Sequence, residues 1–454
     1  MTRGTTLLGS LLVVAGLAGC GGADAATSAS PSGSTAAPAP ASAAAPEPAS
    51  TAGLDRPAPS PTTTPPSTAA APATNRPPVR LSDGRSVVAV DPVTGAERGS
   101  WPDAALSLDG HWTVAVAADA GSGGTNATWI GTTGEADRSG AVPAGLVPTV
   151  TSADGRWAVL AEPAPARAAG EIGPARTSSH FAVTDGAGWV KEVTLSGNFS
   201  PEAFGFIEGH PMTLQMIEYL PPDHPTSYRV RTLDLTTGAV GLPVNLRDKG
   251  TPVDETMAGT SRTQVYAPGE DLLFTLYQPV STDGGAWEYG FVHTLATAWG
   301  GVWCIELPDV LGLEDHRGTL ALSPDHRLLY VATGAGRIGT IRTSDLQALE
   351  VDRTASLGVA ADAQPVMAAG SDRLWVGLGR RLLVVDPISL EVVARAELPA
   401  AVTALTLDPA THELVGADDG GHLRRWTLDA ADQLTETAST PLPEGLGPVA
   451  RIVL

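Results

Sequence analysis

The chain is poor in several things, and each scarcity excludes something. Only 2 of its 454 residues are cysteine, so it has no disulfide framework of the kind that staples small exported domains. Lys and Arg number 28 against 49 Asp and Glu, a formal net charge of −21. Nucleic-acid affinity rests on clustered basic side chains, so nucleic acid is excluded as a partner, and direct adhesion to anionic lipid is opposed. Acidity of this kind serves solubility. The 9 histidines are scattered, with no H-E-x-x-H, paired-cysteine motif or EF-hand loop. "THELVG" around His412 reads as a turn into a strand, not a metalloprotease helix. No G-x-S-x-G elbow and no phosphate-cradling glycine loop is present. No metal, cofactor or catalytic residue is therefore expected from motifs. The carboxylates Asp119, Glu162 and Asp283 would make a calcium set only if the fold brought them together.

What is present begins at the N-terminus. Residues 1–19 have the three parts of a secretory signal: Arg3, an apolar stretch over Leu7–Leu17, and the small pair Ala18-Gly19. The stretch is short of the ~20 residues that span a bilayer as a helix. Leu17-Ala18-Gly19-Cys20 resembles the lipobox of bacterial lipoproteins at all four positions. The resemblance implies a diacylglyceryl thioether on the Cys20 sulfur and cleavage before it. The chemistry requires a thiol as the nucleophile, and two acyl chains on one residue give a stable anchor where a single chain does not. The implied location is the cell membrane, lipid-anchored and facing outside the cytoplasm. The alternative is an ordinary secretory signal with an incidental cysteine. Cys304, in "GVWCIELP", then has no disulfide partner and reads as a small buried hydrophobe on a strand.

Residues 20–78 are nearly all Ala, Pro, Ser, Thr and Gly. Such a segment cannot bury enough apolar surface to offset chain entropy, and it reads as a disordered spacer behind the lipidated cysteine. A flexible chain of that length averages roughly 40 Å end to end, and proline lengthens it.

Residues 79–454 repeat one pattern of strand, polar turn, strand, glycine-rich turn and strand, clearest in "VTALTLDPATHELVGADDGGHLRRWTLD". No long stretch has a helical period, so the domain is all-β. First strands are expected near Ala104, Val147, Ala203, Glu255, Gly318, Gln364 and Val402, a spacing typical of propeller blades. "GPVARIVL" at the C-terminus looks like a first strand with nothing after it. "PVRLSDGRSVVAVDPVTGAERGSWP" near the start looks like the later strands of a unit lacking its first. Joined, they make an eighth unit from both chain ends. The expectation is an eight-bladed β-propeller closed by N- and C-terminal strands, with seven blades as the alternative.

The turns follow from local chemistry. In Asp91–Gly95 ("DPVTG") Asp starts the turn, Pro presets φ and Gly supplies the positive φ; variants recur at Asp234–Gly238 and Asp386–Leu390. The other hairpin carries "LDG", "ADG" and "SPD" at Leu108–Gly110, Ala153–Gly155 and Ser323–Asp325. These turns resemble the YVTN and WD40-like repeats of bacterial propellers, and the D-x-x-T-G turn resembles the quinoprotein-type repeat. True WD dipeptides are absent, and Trp101 lies farther from Gly95 than the quinoprotein tryptophan does from its glycine.

One asymmetry bears on function. Between second and third strands, blades 5–8 use tight connections ("TGAGR", "GLGR", "DDGGH", "SDGR"). Blades 1–4 use long ones ("DAGSGGTN", "EPAPARAAGEIGPARTS", "YLPPDHPTS", "QPVSTDGGAWEY"). The long inter-blade links "NLRDKGTPVDE" and "DVLGLEDHRG" emerge on the same face. Tyr219, His224, Trp287 and Tyr289 ride on this crescent, and loops held by a rigid scaffold are where binding residues concentrate. The leading reading is a monomeric binding or scaffold module for a protein or glycan partner. Alternatives are a propeller enzyme (a lactonase or quinoprotein-like dehydrogenase), an envelope-assembly scaffold, or loops whose aromatics only pack them down.

Overall fold

The computed structural model describes residues 77–454 except 120–122, 169, 208–209, 249–250, 260–261, 268–270, 279–280, 283–284, 287–289, 314–316, 345–349 and 430–432. The signal segment, Cys20 and all but the end of the spacer lie outside the described residues, as do Trp287, Tyr289 and Asp283.

Eight sheets of four or five strands follow one another along the chain, seven with four and one with five, antiparallel but for one short parallel pairing in the five-stranded sheet; a two-stranded ribbon, Ser281–Thr282 with Gly285–Ala286, stands beside them. The eight sheets are the blades of a propeller. The inner strands are Ala104–Leu106, Val147–Thr151, Asn198–Ile207, Arg262–Ala267, Gly318–Leu322, Val366–Ala369, Val402–Leu407 and Arg451–Val453. Four of the expected starts fall on the first residue of a strand. Ala203 lies inside its strand, Gln364 stands just before one, and Glu255 lies in the link that precedes Arg262. A short 3-10 turn at Asp309–Leu311 interrupts the β-structure.

The blades are held by burial of their middle strands. Leu374–Leu378, Leu272–Tyr277 and Phe291–Ala296 are buried at every position. A middle strand meets a neighbouring blade on both faces, so it reads as a continuous apolar run. The outer strand Val392–Glu397 alternates half-buried and exposed, because one face and one edge meet water.

The ring closes with both chain ends. Arg451–Val453 pairs antiparallel with Val79–Ser82, register Arg80↔Val453 and Ser82↔Arg451, and Ser86–Val90 and Glu97–Pro102 complete blade 8. Val449 and Ile452 are buried with Leu81, Val88 and Val90 of this blade and Val415 and Leu423 of blade 7. Two arginines bolt it to blade 1. Arg80, 2% exposed, donates through Nη2 to the Gly110 carbonyl, and Arg451 Nη2 donates to the Leu108 carbonyl at 2.8 Å. Burial pushes the Arg80 guanidinium down to about 10; Asp109 opposes the fall and Arg451 adds to it.

The accepting turn is a repeated device. Ser107 Oγ donates to Asp109 and accepts the Trp112 amide at 2.9 Å; Ser152–Asp154 and Ser323–Asp325 do the same. In the first two turns the glycine carbonyl meets the preceding blade; in the third the position is His326, whose carbonyl accepts Thr343 of its own blade. At the next seam the Gly155 carbonyl receives Trp129 Nε1 at 2.8 Å and Arg138 Nη2 at 3.2 Å.

Strand order fixes two faces. The hairpin turns from first to second and from third to fourth strand lie on one, the turn face. The second-to-third connections and inter-blade links lie on the other, the loop face. Residue 77 enters, and Leu454 leaves, on the turn face.

Candidate functional site: the loop face of blades 2 to 4

The long connection of blade 2, residues 162–177, lies against the connection of blade 3, residues 221–226. The Ile172 amide donates to the Pro225 carbonyl at 2.8 Å and the Arg176 amide to the Pro222 carbonyl at 2.9 Å. Asn198, 1% exposed at the start of blade 3, ties both loops through Nδ2, to the Pro174 carbonyl at 2.6 Å and the Pro222 carbonyl at 3.1 Å. Proline supplies carbonyls without amides of its own, so the carbonyls of Pro174, Pro222 and Pro225 need donors from non-proline residues. Asn198 and the amides of Ile172 and Arg176 supply them.

Tyr219 and His224 flank this junction. The Tyr219 ring covers Gly173, where a Cβ would stand 2.5 Å from the ring, and meets Tyr228 edge-on at 6.4 Å. From there the aromatic stack continues through Tyr277 to Phe291 in blade 4, with centroid distances of 5.2 and 5.1 Å. Tyr219 is thus half-buried and holds the loop down. His224 is exposed, and its Nδ1 stands 3.1 Å from the carboxylate of Glu171. Glu171 is only 7% exposed and accepts the Ala168 amide at 3.1 Å. One hairpin therefore carries both residues, one as a packing ring and one as a solvent-facing imidazole over a buried carboxylate.

The link from blade 3 to blade 4 holds the long stretch "NLRDKGTPVDE". The outer strand of blade 3 is only Val240–Gly241. The chain then crosses to blade 4, where Val244–Asn245 pairs parallel with Gly301–Glu306, and returns so that Met257 bridges Tyr228. On the way Asp254 accepts Arg231 Nη1 at 2.8 Å, while Arg231 Nε meets Glu218 at 2.8 Å. Arg231 is 8% exposed, and these two carboxylates compensate its burial. Cys304 is half-buried on the outer strand of blade 4, rather than a core hydrophobe, with Sγ 4.0 Å from Glu255. The outer strand has one face towards the link, which is why burial is incomplete.

Among the described residues no group of three His, Cys, Asp or Glu is placed to hold a metal ion. No helix there is long and apolar enough to cross a membrane.

No protein-family model matches the sequence, and no curated protein matches it. Among solved structures the chain is similar to apo AztD from Citrobacter koseri, at 11% identity over 83% of this chain and 96% of that one, TM-score 0.47. It is also similar to BamB from Moraxella catarrhalis, at 12% identity over 76% and 86%, TM-score 0.43. A third likeness is to the dihydro-heme d1 dehydrogenase NirN in complex with DHE, at 14% identity over 82% and 75%, TM-score 0.45. At these identities the likeness says nothing about activity.

Proposed function

We propose that this chain is a membrane-anchored extracytoplasmic propeller lipoprotein that binds a protein or glycan partner through its loop face. The observation that carries the reading is the built ledge of blades 2 and 3, where Asn198 and two backbone amides lock the proline-rich loops together. A loop that only drifts in length has no need of a buried side chain to hold it to its neighbour. The ledge stands on the loop face, opposite to the face on which residue 77 lies. The lipobox-like Leu17–Cys20 and the Ala/Pro/Ser/Thr spacer support the anchoring half.

The two halves are tested separately. For the anchor, Cys20→Ser shifts the protein from the membrane fraction to the soluble one, or leaves unprocessed precursor. Unchanged membrane association with no acyl mass on the wild type refutes it. For the ledge, a photo-crosslinking side chain at position 224 captures the partner in cells, and one at position 93, on the turn face, does not. Equal capture at both positions, or none at 224, refutes the loop-face reading.

A further inference from the structure

The short outer strand of blade 3 has a second effect, on the opposite face. Where the chain leaves blade 3 after Gly241 and crosses to blade 4, the two blades do not close against each other. A pocket of about 260 Å³ remains between them on the turn face. Its walls are mainly apolar: Met212 and Val244, with Leu242 and Trp299 at the lip, 42% and 36% exposed. The Trp299 ring lies along the Gly301 backbone, where a Cβ would stand 2.1 Å from it.

Three of the lining side chains are polar, Thr213, Thr232 and Gln215, and Gln215 carries the donor that matters here. Gln215 is fully buried, and its Oε1 accepts Thr232 Oγ1 at 2.8 Å. Its Nε2 has no hydrogen-bond partner and lies 3.1 Å from where a Cβ on Gly300, also a lining residue, would stand. A buried amide donor without an acceptor is costly, and mainly apolar pockets with a few placed polar groups are how proteins hold small molecules in a fixed orientation. An engineered cavity of about 150 Å³ holds benzene, so this space fits a two-ring molecule.

We propose that this pocket binds a small, uncharged, mainly apolar molecule of bicyclic-aromatic size with one hydrogen-bond acceptor, to which Gln215 Nε2 donates. The apolar body lies between Met212, Val244 and the Trp299 ring. The site is separate from the loop face and independent of the partner proposed there.

The test uses the domain with its spacer and two probes, 2-acetylnaphthalene and 2-ethylnaphthalene, which differ in the carbonyl. Binding is followed by ligand-observed saturation-transfer NMR and by tryptophan fluorescence. The acetyl probe is expected to bind saturably with Kd on the order of 0.1 mM, roughly 3- to 10-fold tighter than the ethyl probe. Val244→Trp, which fills the pocket, and Leu242→Trp, which covers its exposed lip, should both abolish binding, so a folding failure of the first leaves the second. Gln215→Leu should bind both probes equally while melting no lower than wild type. No saturable binding of either probe up to its solubility overturns the proposal, as does binding unchanged by Leu242→Trp. A carbonyl preference that persists in Gln215→Leu overturns the role of the amide.

Discussion

In blade 5 the chain passes from the second strand to the third through three residues, 334–336; in blade 2 it takes sixteen, 162–177. Beneath that difference the two blades share one hydrogen bond. The carbonyl just before the third strand accepts the amide just after the fourth: Gly336 from Leu357 at 2.8 Å, and Thr177 from Gly197 at 2.8 Å. Blades 6, 7 and 8 repeat it with Arg380 and Leu398, Gly421 and Leu442, and Arg85 and Ala104, and blade 4 with Gly290 and Leu307. In blades 2 and 4 the long connections are therefore insertions above the same foot. Loop-closure entropy grows only slowly with length, so the scaffold tolerates them provided the foot is kept. What fixes the two connections differs. In blade 5 it is contact at Gly336, where a Cβ would meet the Val359 carbonyl; in blade 2 it is Asn198 and neighbouring backbone.

The hardest way to break the comparison is to remove the ring's closure while leaving every loop intact. Deletion of residues 448–454 strips Val449 and Ile452 from the core, 3% and 6% exposed, worth about 3–6 kcal/mol at ~1.5–3 each. It also uncovers the edge of Val79–Ser82, a template for aggregation. The truncated protein should be insoluble or protease-sensitive. Replacing residues 163–170 by two glycines should leave the melting temperature within a few degrees. A loop deletion as damaging as the closure deletion would mean that the loops hold the ring.

A smaller effect separates contact from open space at glycine. Gly336 has φ +71 and no room for a Cβ, while Gly123, in the long connection of blade 1, has φ +68 and nothing within 4 Å. Both alanine variants carry left-handed strain of about 1–2 kcal/mol. Gly336→Ala should cost about 1–3 kcal/mol more because backbone must move, as chemical denaturation of the pair will read.

Asn198→Ala should cost about 1–2 kcal/mol. Its clearer sign is local: faster amide exchange at Ile172 and Arg176, with no change at Leu357, the corresponding foot of blade 5. Uniform acceleration would mean that Asn198 supports the blade rather than the ledge.

The smallest effect is electrostatic. Arg98 and the amides of Thr94 and Val93 hold the Asp91 carboxyl well below the usual range; the Thr237 and Thr236 amides lower Asp234. A depressed carboxyl stabilises the fold above its unfolded pKa of about 4, and the contribution is lost as pH falls through the folded value. Melting temperature should be flat from pH 7 to about 5 and fall below about 4. Asp91→Asn should flatten that fall slightly, since the group is exposed and the pairing with Arg98 is screened.

The blade count and the closure were legible because strand and turn chemistry repeat in the sequence itself. At Asp91, Asp234 and Asp386 the side chain accepts two amides of its own turn, and a local device of this kind leaves a local signature. Asp408 builds the same turn with His412 at φ +59. The inner strand of blade 4 was placed too early, at Glu255, because the link contains strand-forming residues that pair elsewhere, as Met257 does with Tyr228. Tyr219 and His224 read alike as loop residues, yet one is half-buried and the other exposed. The difference is made by Gly173 and Glu171, from another blade's loop, and no spacing along the sequence encodes that meeting. The pocket beside Gln215 was invisible for the same reason: it exists because an outer strand stops short.

The antiparallel register of Arg80 with Val453 gives the ring no privileged starting point. The last residues of the chain and the first of the domain are neighbours at one end of a hairpin that merely lacks its turn, and two residues such as Asn-Gly would supply it. A circular permutant so joined, and opened instead at the blade 6 turn of residues 370–373, would close its ring with a different pair of strands. Its new termini would again leave by the turn face, a quarter of the way round, with the loop face unaltered.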